Sequence, residues 1–411
     1  MKKSYNKDTF CVAPWLSSHI STFDDILPCC IYKAEGEPFG KTKQGVSFLD
    51  QYNSNTAVQV RKDLWNGKEV SGCKECFFRE KTGNSYRNSL NYRFDEYIDE
   101  AIENTNDDFT LKQAKFRMLD LRFDNKCNLR CRMCNPSFSS ALYKEYKDLG
   151  FETMTKMDSA YIVAVEDNEY QFILDQLQYT KVLFFAGGEP LTQDKFYEIL
   201  QYCIDNNLSK DIVLWITTNC TKLNYKKFNL IEMFKQFKGI EITGSVDAYG
   251  ERANYMRYPS KWTDVESNIL TLKNSVDNLQ FIACPTIQIP NVHHIFDLYK
   301  YFIVNEITNT GDIHFNILEG PKHFSIRNLP ENHKEQIRTK CDEMLIWLEE
   351  SDYNTHQQDI QQFELLRSML DQEPTLPNNE LFLHRTKQVD EYRGNNFYET
   401  FPEFNDFLVV S

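Results

Sequence analysis

The 411-residue chain has no uninterrupted apolar run near the roughly 18 residues a membrane helix requires. The lysine pair that opens the stretch MKKSYNKDTF, Lys2 and Lys3, is followed by no apolar segment of the signal-peptide kind. It also lacks an excess of positive charge. Against 46 Lys and Arg stand 60 Asp and Glu, a formal charge of -14 that disfavours non-specific attraction to phosphate backbones and anionic membranes. No internal repeat or low-complexity segment is present. These absences predict a cytoplasmic protein that neither enters a membrane nor binds nucleic acid. What is there, 41% hydrophobic and 14% aromatic content over this length, suits one large core with an accessory domain.

Cysteine is plentiful, with 12 in the chain. In a reducing compartment disulfides rarely persist, so thiols call for metal ligation, catalysis or packing as their explanation. Cys11, Cys29, Cys30, Cys73 and Cys76 gather toward the N-terminus, and Cys127, Cys131 and Cys134 form a tight group in CNLRCRMC. Cys203, Cys220, Cys284 and Cys341 stand singly and read as small apolar core residues.

Strand-like runs recur through the middle of the chain: MLDLRF, VLFFAG, DIVLWITTN, GIEITGSVD, LQFIACPTIQ and DIHFNIL. Helical patterns separate them. Phe196, Ile199, Leu200, Cys203 and Ile204 share one helix face, and so do Trp262, Val265, Ile269 and Leu272. Ile295, Leu298, Tyr299 and Ile303 do the same after the fifth run. Strands alternating with helices predict an α/β fold with a parallel sheet, either open or curled into a partial barrel. In such folds the chemistry sits on loops at the carboxyl ends of strands. CNLRCRMC follows the first strand, GGEP the second, TTN ends the third, and SVDAYGERANYMR follows the fourth.

Three thiols in eight residues need completing. Zinc would want a fourth protein ligand, and no His follows Cys134 at ligand spacing. The CxxxCxxC of Cys127, Cys131 and Cys134 after one strand, with Gly187, Gly188, Glu189 and Pro190 after the next, resembles the radical S-adenosylmethionine (radical SAM) superfamily over roughly residues 115 to 320. The resemblance implies a partial (βα)6 TIM-type barrel. It further implies that the three thiolates hold a 4Fe-4S cluster whose fourth iron is chelated by S-adenosylmethionine. Met133 would lie at the adenine, where the family often has an aromatic ring. Gly188 and Glu189 would address the methionyl amino group, a carboxylate being a natural acceptor for an ammonium, with Gly187 and Pro190 as the other cofactor-binding residues of that motif. Asn219, Ser245, Asp247 and Arg257 resemble cofactor-contacting positions of the sulfatase-maturing branch, with Arg257 expected to fork onto the methionyl carboxylate. Cys220 stands where that branch usually has the glycine of TTNG.

FCVAPW, DDILPCC and GCKECFF resemble the auxiliary-cluster module called SPASM or twitch, here ahead of the barrel rather than behind it. The resemblance makes Cys11, Cys29, Cys73 and Cys76 ligands of a second 4Fe-4S cluster, with Cys30 in reserve for Cys29. Four soft thiolates would equally suit tetrahedral zinc. The expected divisions are residues 1–100 for this module, 112–330 for the barrel and 331–411 for a helical extension. Within the extension, 331–372 reads as amphipathic helix and LPNNELFLHRTKQVDEYRGNN as loop, with the tail capping the barrel mouth. His314, Glu319, Lys322 and His323 fall on or near the active face, as substrate contacts or structural residues. The expected function is radical chemistry on a peptide or protein, fed by an electron donor such as flavodoxin or ferredoxin. A nucleotide, sugar or other small metabolite is the alternative substrate, and a non-catalytic iron-sulfur redox or scaffold protein the alternative class.

Overall fold

The computed structural model describes residues 5–32, 37–42, 45–80, 85–152, 160–165, 170–351, 353 and 357–407. Residues 408–411 of the expected capping tail lie outside them. The chain is α/β, built on a mostly parallel sheet. It divides into two compact units, Met1–Lys126 with Tyr161–Ile216 and Glu232–Ile240, and Cys127–Ala160 with Thr217–Ile231 and Glu241–Ser411. The divisions expected near residues 100 and 331 are not where these units part.

In the first unit, strands β1 (Ser17–Ile20), β2 (Asp25–Leu27), β3 (Gly40–Lys41), β4 (Met118–Leu121), β5 (Val182–Phe185) and β6 (Val213–Thr218) lie in the order β3-β2-β1-β4-β5-β6. The run β1-β4-β5-β6 is parallel, and β2 and β3 are antiparallel additions. One register row crosses four strands as His19, Asp120, Phe184 and Trp215. The opposite face carries Phe185, whose ring meets Phe196 of helix Asp194–Asp205 at 4.9 Å, so the helix covers that side. All four residues are buried in β4 and again in β5, which accounts for the unbroken apolar run of β5 and leaves Asp120 as the one polar residue of β4.

Sequence reading misses β1, because Ser17, Ser18 and His19 are polar. Their burial is supported at the Ser17 main chain and the His19 ring, while the Ser17 and Ser18 hydroxyls are buried with no hydrogen-bond partner among the described residues. The Tyr52 hydroxyl donates to the Ser17 carbonyl at 2.7 Å, and His19 Nδ1 lies 2.8 Å from Asp120 Oδ2. The N-terminal segment is thereby zipped to the first strand of the α/β core. Its helix Asn55–Trp65 is capped by Ser54, and the fully buried Arg61 on that helix donates to the carbonyls of Phe109 and Pro14 at 2.8 and 3.3 Å. A buried guanidinium needs such partners to be tolerated.

The second unit contains the hairpin β7 (Asn224–Tyr225) and β8 (Phe228–Asn229), and the greater part of β9 (Gly239–Gly244) beside β10 (Leu279–Ala283). β11 (Thr286–Ile287) pairs in parallel with β12 (Asn316–Ile317), and Ala283 bridges Ile313. The helices Trp262–Ser275 and Ile295–Val304 bury the residues their periodicity selects. Two corrections concern the C-terminal extension. The helix expected over 331–372 is two helices, Glu331–Glu350 and Gln357–Leu370. The stretch read as loop contains a helix, Glu380–Arg393, closed by Gly394 in the left-handed conformation at φ 67°. Its buried positions are Phe382, Thr386 and Asp390. Two polar residues in that stripe erase the apolar period by which a helix is recognised.

Candidate active site

Cys127, Cys131 and Cys134 sit on an irregular loop of the second unit, held in shape by main-chain contacts. The Cys134 N–H donates to the Cys131 carbonyl at 3.1 Å, the Leu129 N–H points at Cys127 Sγ at 3.5 Å, and Ser139 Oγ donates to the Leu129 carbonyl at 2.7 Å. The Tyr146 hydroxyl donates to the Cys134 carbonyl at 2.9 Å. Burial pushes the Cys131 and Cys134 thiols up, and Cys134 is pushed further by the other two thiols, so the three share one electrostatic neighbourhood. Three thiols on one half-buried loop are a donor set suited to an iron-sulfur cluster. Among the described residues, no three His, Cys, Asp or Glu converge at a single-ion site. Cys127, Cys131 and Cys134 are instead the residues that would hold an iron-sulfur cluster.

Asn219, Ser245, Asp247 and Arg257 line one cavity of about 260 Å³ in the same unit. The Arg257 fork, expected to be open for a ligand carboxylate, is already engaged. Nε lies 2.7 Å from Asp247 Oδ2 and Nη2 donates to Oδ1 at 3.0 Å, while Nη1 points at Cys131 Sγ at 3.8 Å. Asp247 is buried and also accepts from the Thr286 N–H at 2.8 Å, and its charge raises the Arg257 pKa against the cost of burial. Arg257 is therefore not a solvated surface arginine, and Nη1 is the part of it left for a ligand. Asn219 Nδ2 donates to Asn128 Oδ1 at 3.0 Å, and the Thr221 N–H donates to Asn219 Oδ1 at 3.0 Å. Asn128, the residue after Cys127, went unnoticed in the sequence because a lone Asn between cysteines carries no pattern. Met133 is half-buried in the turn before Cys134.

Cys220 takes φ 57°, in the region that favours glycine, and is fully buried. Replacing it with glycine relieves about 1 kcal/mol of backbone strain. The change also removes a small buried side chain and frees the unfolded chain by a comparable amount. Cys220→Gly is expected to change stability by less than about 1 kcal/mol in urea unfolding, whereas the β-branched Cys220→Val should cost more than about 2 kcal/mol.

In the first unit, Gly187 and Gly188 both have positive φ, 81° and 55°. A Cβ on Gly188 would stand 2.2 Å from the Lys126 carbonyl oxygen, so only glycine allows this close approach. The Glu189 N–H donates to that same oxygen at 2.7 Å. The Glu189 carboxylate is buried and accepts from the Leu191 N–H at 3.1 Å, capping the turn Pro190–Thr192. It thus has a structural duty beside any toward a ligand.

Also in the first unit, Cys11, Cys29, Cys73 and Cys76 line one cavity of about 340 Å³, with Tyr86 and Arg87 in its wall. Cys30 is not part of it. Its Sγ lies 3.9 Å from the Tyr86 hydroxyl and senses the charges of Asp120 and Arg122. Burial pushes Cys11 up to about 12 and Cys29 well above the usual thiol range, with the other thiols contributing to each shift. Arg87 is anchored by a two-pronged contact with Glu80 at 2.8 and 2.7 Å and by the Phe10 carbonyl at 2.9 Å. No sequence signal marks Tyr86 or Arg87; the helix Tyr86–Arg93 brings them to the thiols.

Of the residues near the last strand, His323 is buried and lines a different cavity, of about 370 Å³, together with Cys131. His314 lies 3.3 Å from the Gly311 carbonyl, and Glu319 and Lys322 are exposed.

Residues 121–299 match the family model described as the radical SAM superfamily. No curated protein matches the chain. Among solved structures, it is similar to native anSMEcpe with bound AdoMet, at 17% identity over 56% of this chain and 60% of that one, with a TM-score of 0.38. It is similar to Streptococcus suis SuiB bound to S-adenosylmethionine, at 15% identity over 73% of this chain and 64% of that one, TM-score 0.39. SuiB bound to its precursor peptide SuiA aligns at 14% identity over 65% of this chain and 61% of that one, TM-score 0.36. The alignments thus span less than two thirds of these proteins' own lengths.

Proposed function

We propose that the protein is a radical SAM enzyme that modifies a peptide or protein. The observation that carries the reading is the half-buried Cys127/Cys131/Cys134 loop, its middle thiol buried and no fourth thiol on it, inside the stretch that the radical SAM family model matches. When bound, a 4Fe-4S cluster with S-adenosylmethionine supplies reductive cleavage of the cofactor to methionine and a 5'-deoxyadenosyl radical, which removes a hydrogen from an unreactive carbon. The chain's own residues do the rest. The three thiolates hold the iron, the positive-φ glycines Gly187 and Gly188 let the backbone approach, and the cavity with Asn219, Ser245, Asp247 and Arg257 receives the cofactor on a partial (βα)6 barrel. Arg257 Nη1 lies within reach of both Cys131 and that cavity, so it orients rather than forks.

The second thiol group, Cys11, Cys29, Cys73 and Cys76, would hold an auxiliary cluster in a largely apolar pocket. The proposed peptide substrate rests on the resemblance of this group to the SPASM or twitch module. Anaerobic reconstitution should load about eight irons per chain, two clusters of four. Given dithionite and S-adenosylmethionine, the loaded protein should release 5'-deoxyadenosine. Four irons with one zinc would move the N-terminal group to a structural zinc site. No 5'-deoxyadenosine from fully loaded protein would remove the enzymatic reading.

A further inference from the structure

The helix Glu380–Arg393, unseen in the sequence, belongs to the cysteine loop. Its last residue, Arg393, is fully buried and holds the buried Glu145 in a two-pronged ion pair, Nη2 to Oε1 at 2.6 Å and Nε to Oε2 at 3.0 Å. The same Nη2 donates at 2.8 Å to the carbonyl of Arg130, a main-chain atom between Cys127 and Cys131. One turn earlier, Asp390 accepts from Arg132, the residue after Cys131, and from the Tyr255 hydroxyl at 2.8 Å. Arg132 is itself 3% exposed and lies flat on the Tyr255 ring at 3.7 Å. The loop is therefore gripped at two points flanking its middle thiol.

The grip also brings charge. Arg132, Arg385 and Arg393 line the cavity of about 370 Å³ that contains Cys131, with Glu145 as the acidic residue among its walls. Arg132 Nε and Nη1 and Arg393 Nη1 are buried donors that find no acceptor among the described residues. Arg257 adds a guanidinium 3.8 Å from Cys131 Sγ. Hydrogen bonds and charge around the sulfurs are principal determinants of an iron-sulfur potential, and a cationic shell favours the reduced, more negative state.

We propose that Arg132, Arg257 and Arg393, seated by Asp390 and Glu145, form a cationic shell on Cys131 that raises the reduction potential of a cluster held by the loop. The inference rests on the radical SAM reading and extends it to the C-terminal helix. Arg393 and Asp390 are positioning residues in this scheme, and their substitution should move the potential in opposite directions.

The test is an anaerobic redox titration followed by electron paramagnetic resonance, without S-adenosylmethionine. It uses the full chain in a Cys73→Ala, Cys76→Ala background, so that only the loop's cluster is read. Arg393→Gln should make the cluster about tenfold harder to reduce at a fixed potential, a fall of about 59 mV for one electron. Asp390→Asn, which leaves Arg132 without its counter-ion, should raise the potential. If Arg393→Gln fails to fold, Asp390→Asn decides alone. Shifts of the same sign, or none in variants with background iron content, overturn the shell. A background chain that takes up no iron overturns the radical SAM reading, and this inference with it.

Discussion

Cys127→Ala, Cys131→Ala and Cys134→Ala should each reduce 5'-deoxyadenosine formation to the level of S-adenosylmethionine and dithionite without enzyme. Each removes one of three thiolates, and none of the remaining groups on the loop can replace it: Asn128, Arg130, Arg132 and Asn135 offer no thiolate, carboxylate or imidazole. The loss is expected in chemistry rather than in folding, because the loop is also held by Ser139, Tyr146 and the Arg393–Glu145 pair. Cys341→Ala is the matched control. That thiol is fully buried in helix Glu331–Glu350, so removing it costs stability while S-adenosylmethionine cleavage continues. Normal cleavage by any one of the three loop variants would contradict the central assignment.

Cys29→Ala and Cys30→Ala should differ sharply although the residues are neighbours. Cys29 lines the cavity with Cys11, Cys73 and Cys76, whereas Cys30 points toward Tyr86, Asp120 and Arg122. Iron per chain is expected to fall from about eight to about four in Cys29→Ala and to stay near eight in Cys30→Ala. S-adenosylmethionine cleavage should persist in both, since the loop thiols are untouched. Loss of product without loss of cleavage in Cys29→Ala would mark the N-terminal group as serving a later stage of the reaction. The reverse iron pattern would hand the ligand role to Cys30.

The legible parts of the molecule were those where chemistry leaves a local signature. CxxxCxxC and GGEP declare themselves because thiols and glycines have few other reasons to stand in that order after strands. The helices that bury Phe196, Trp262 or Ile295 follow from spacing alone. What stayed hidden depends on partners far away in sequence. Ser17 and His19 sit in a buried strand where Tyr52 meets the Ser17 carbonyl and Asp120 meets the His19 ring, and Asp390 faces inward because Arg132 and Tyr255 receive it. Arg257 reads as a free fork until Asp247, ten residues earlier, is seen to occupy it. A polar residue announces a burial site only when its partner is known.

The parallel pairing of Ser17–Ile20 with Met118–Leu121 also governs how the chain can reach its native state. The pairing closes a loop of roughly 100 residues, a costly contact of high sequence separation that slows folding. On a ribosome, the first strand emerges long before its partner and waits with one edge bare, the kind of surface that recruits foreign strands. Cys11 precedes that strand, and Cys29, Cys73 and Cys76 are made during the wait, so metal loading of the N-terminal group and completion of the sheet compete in time.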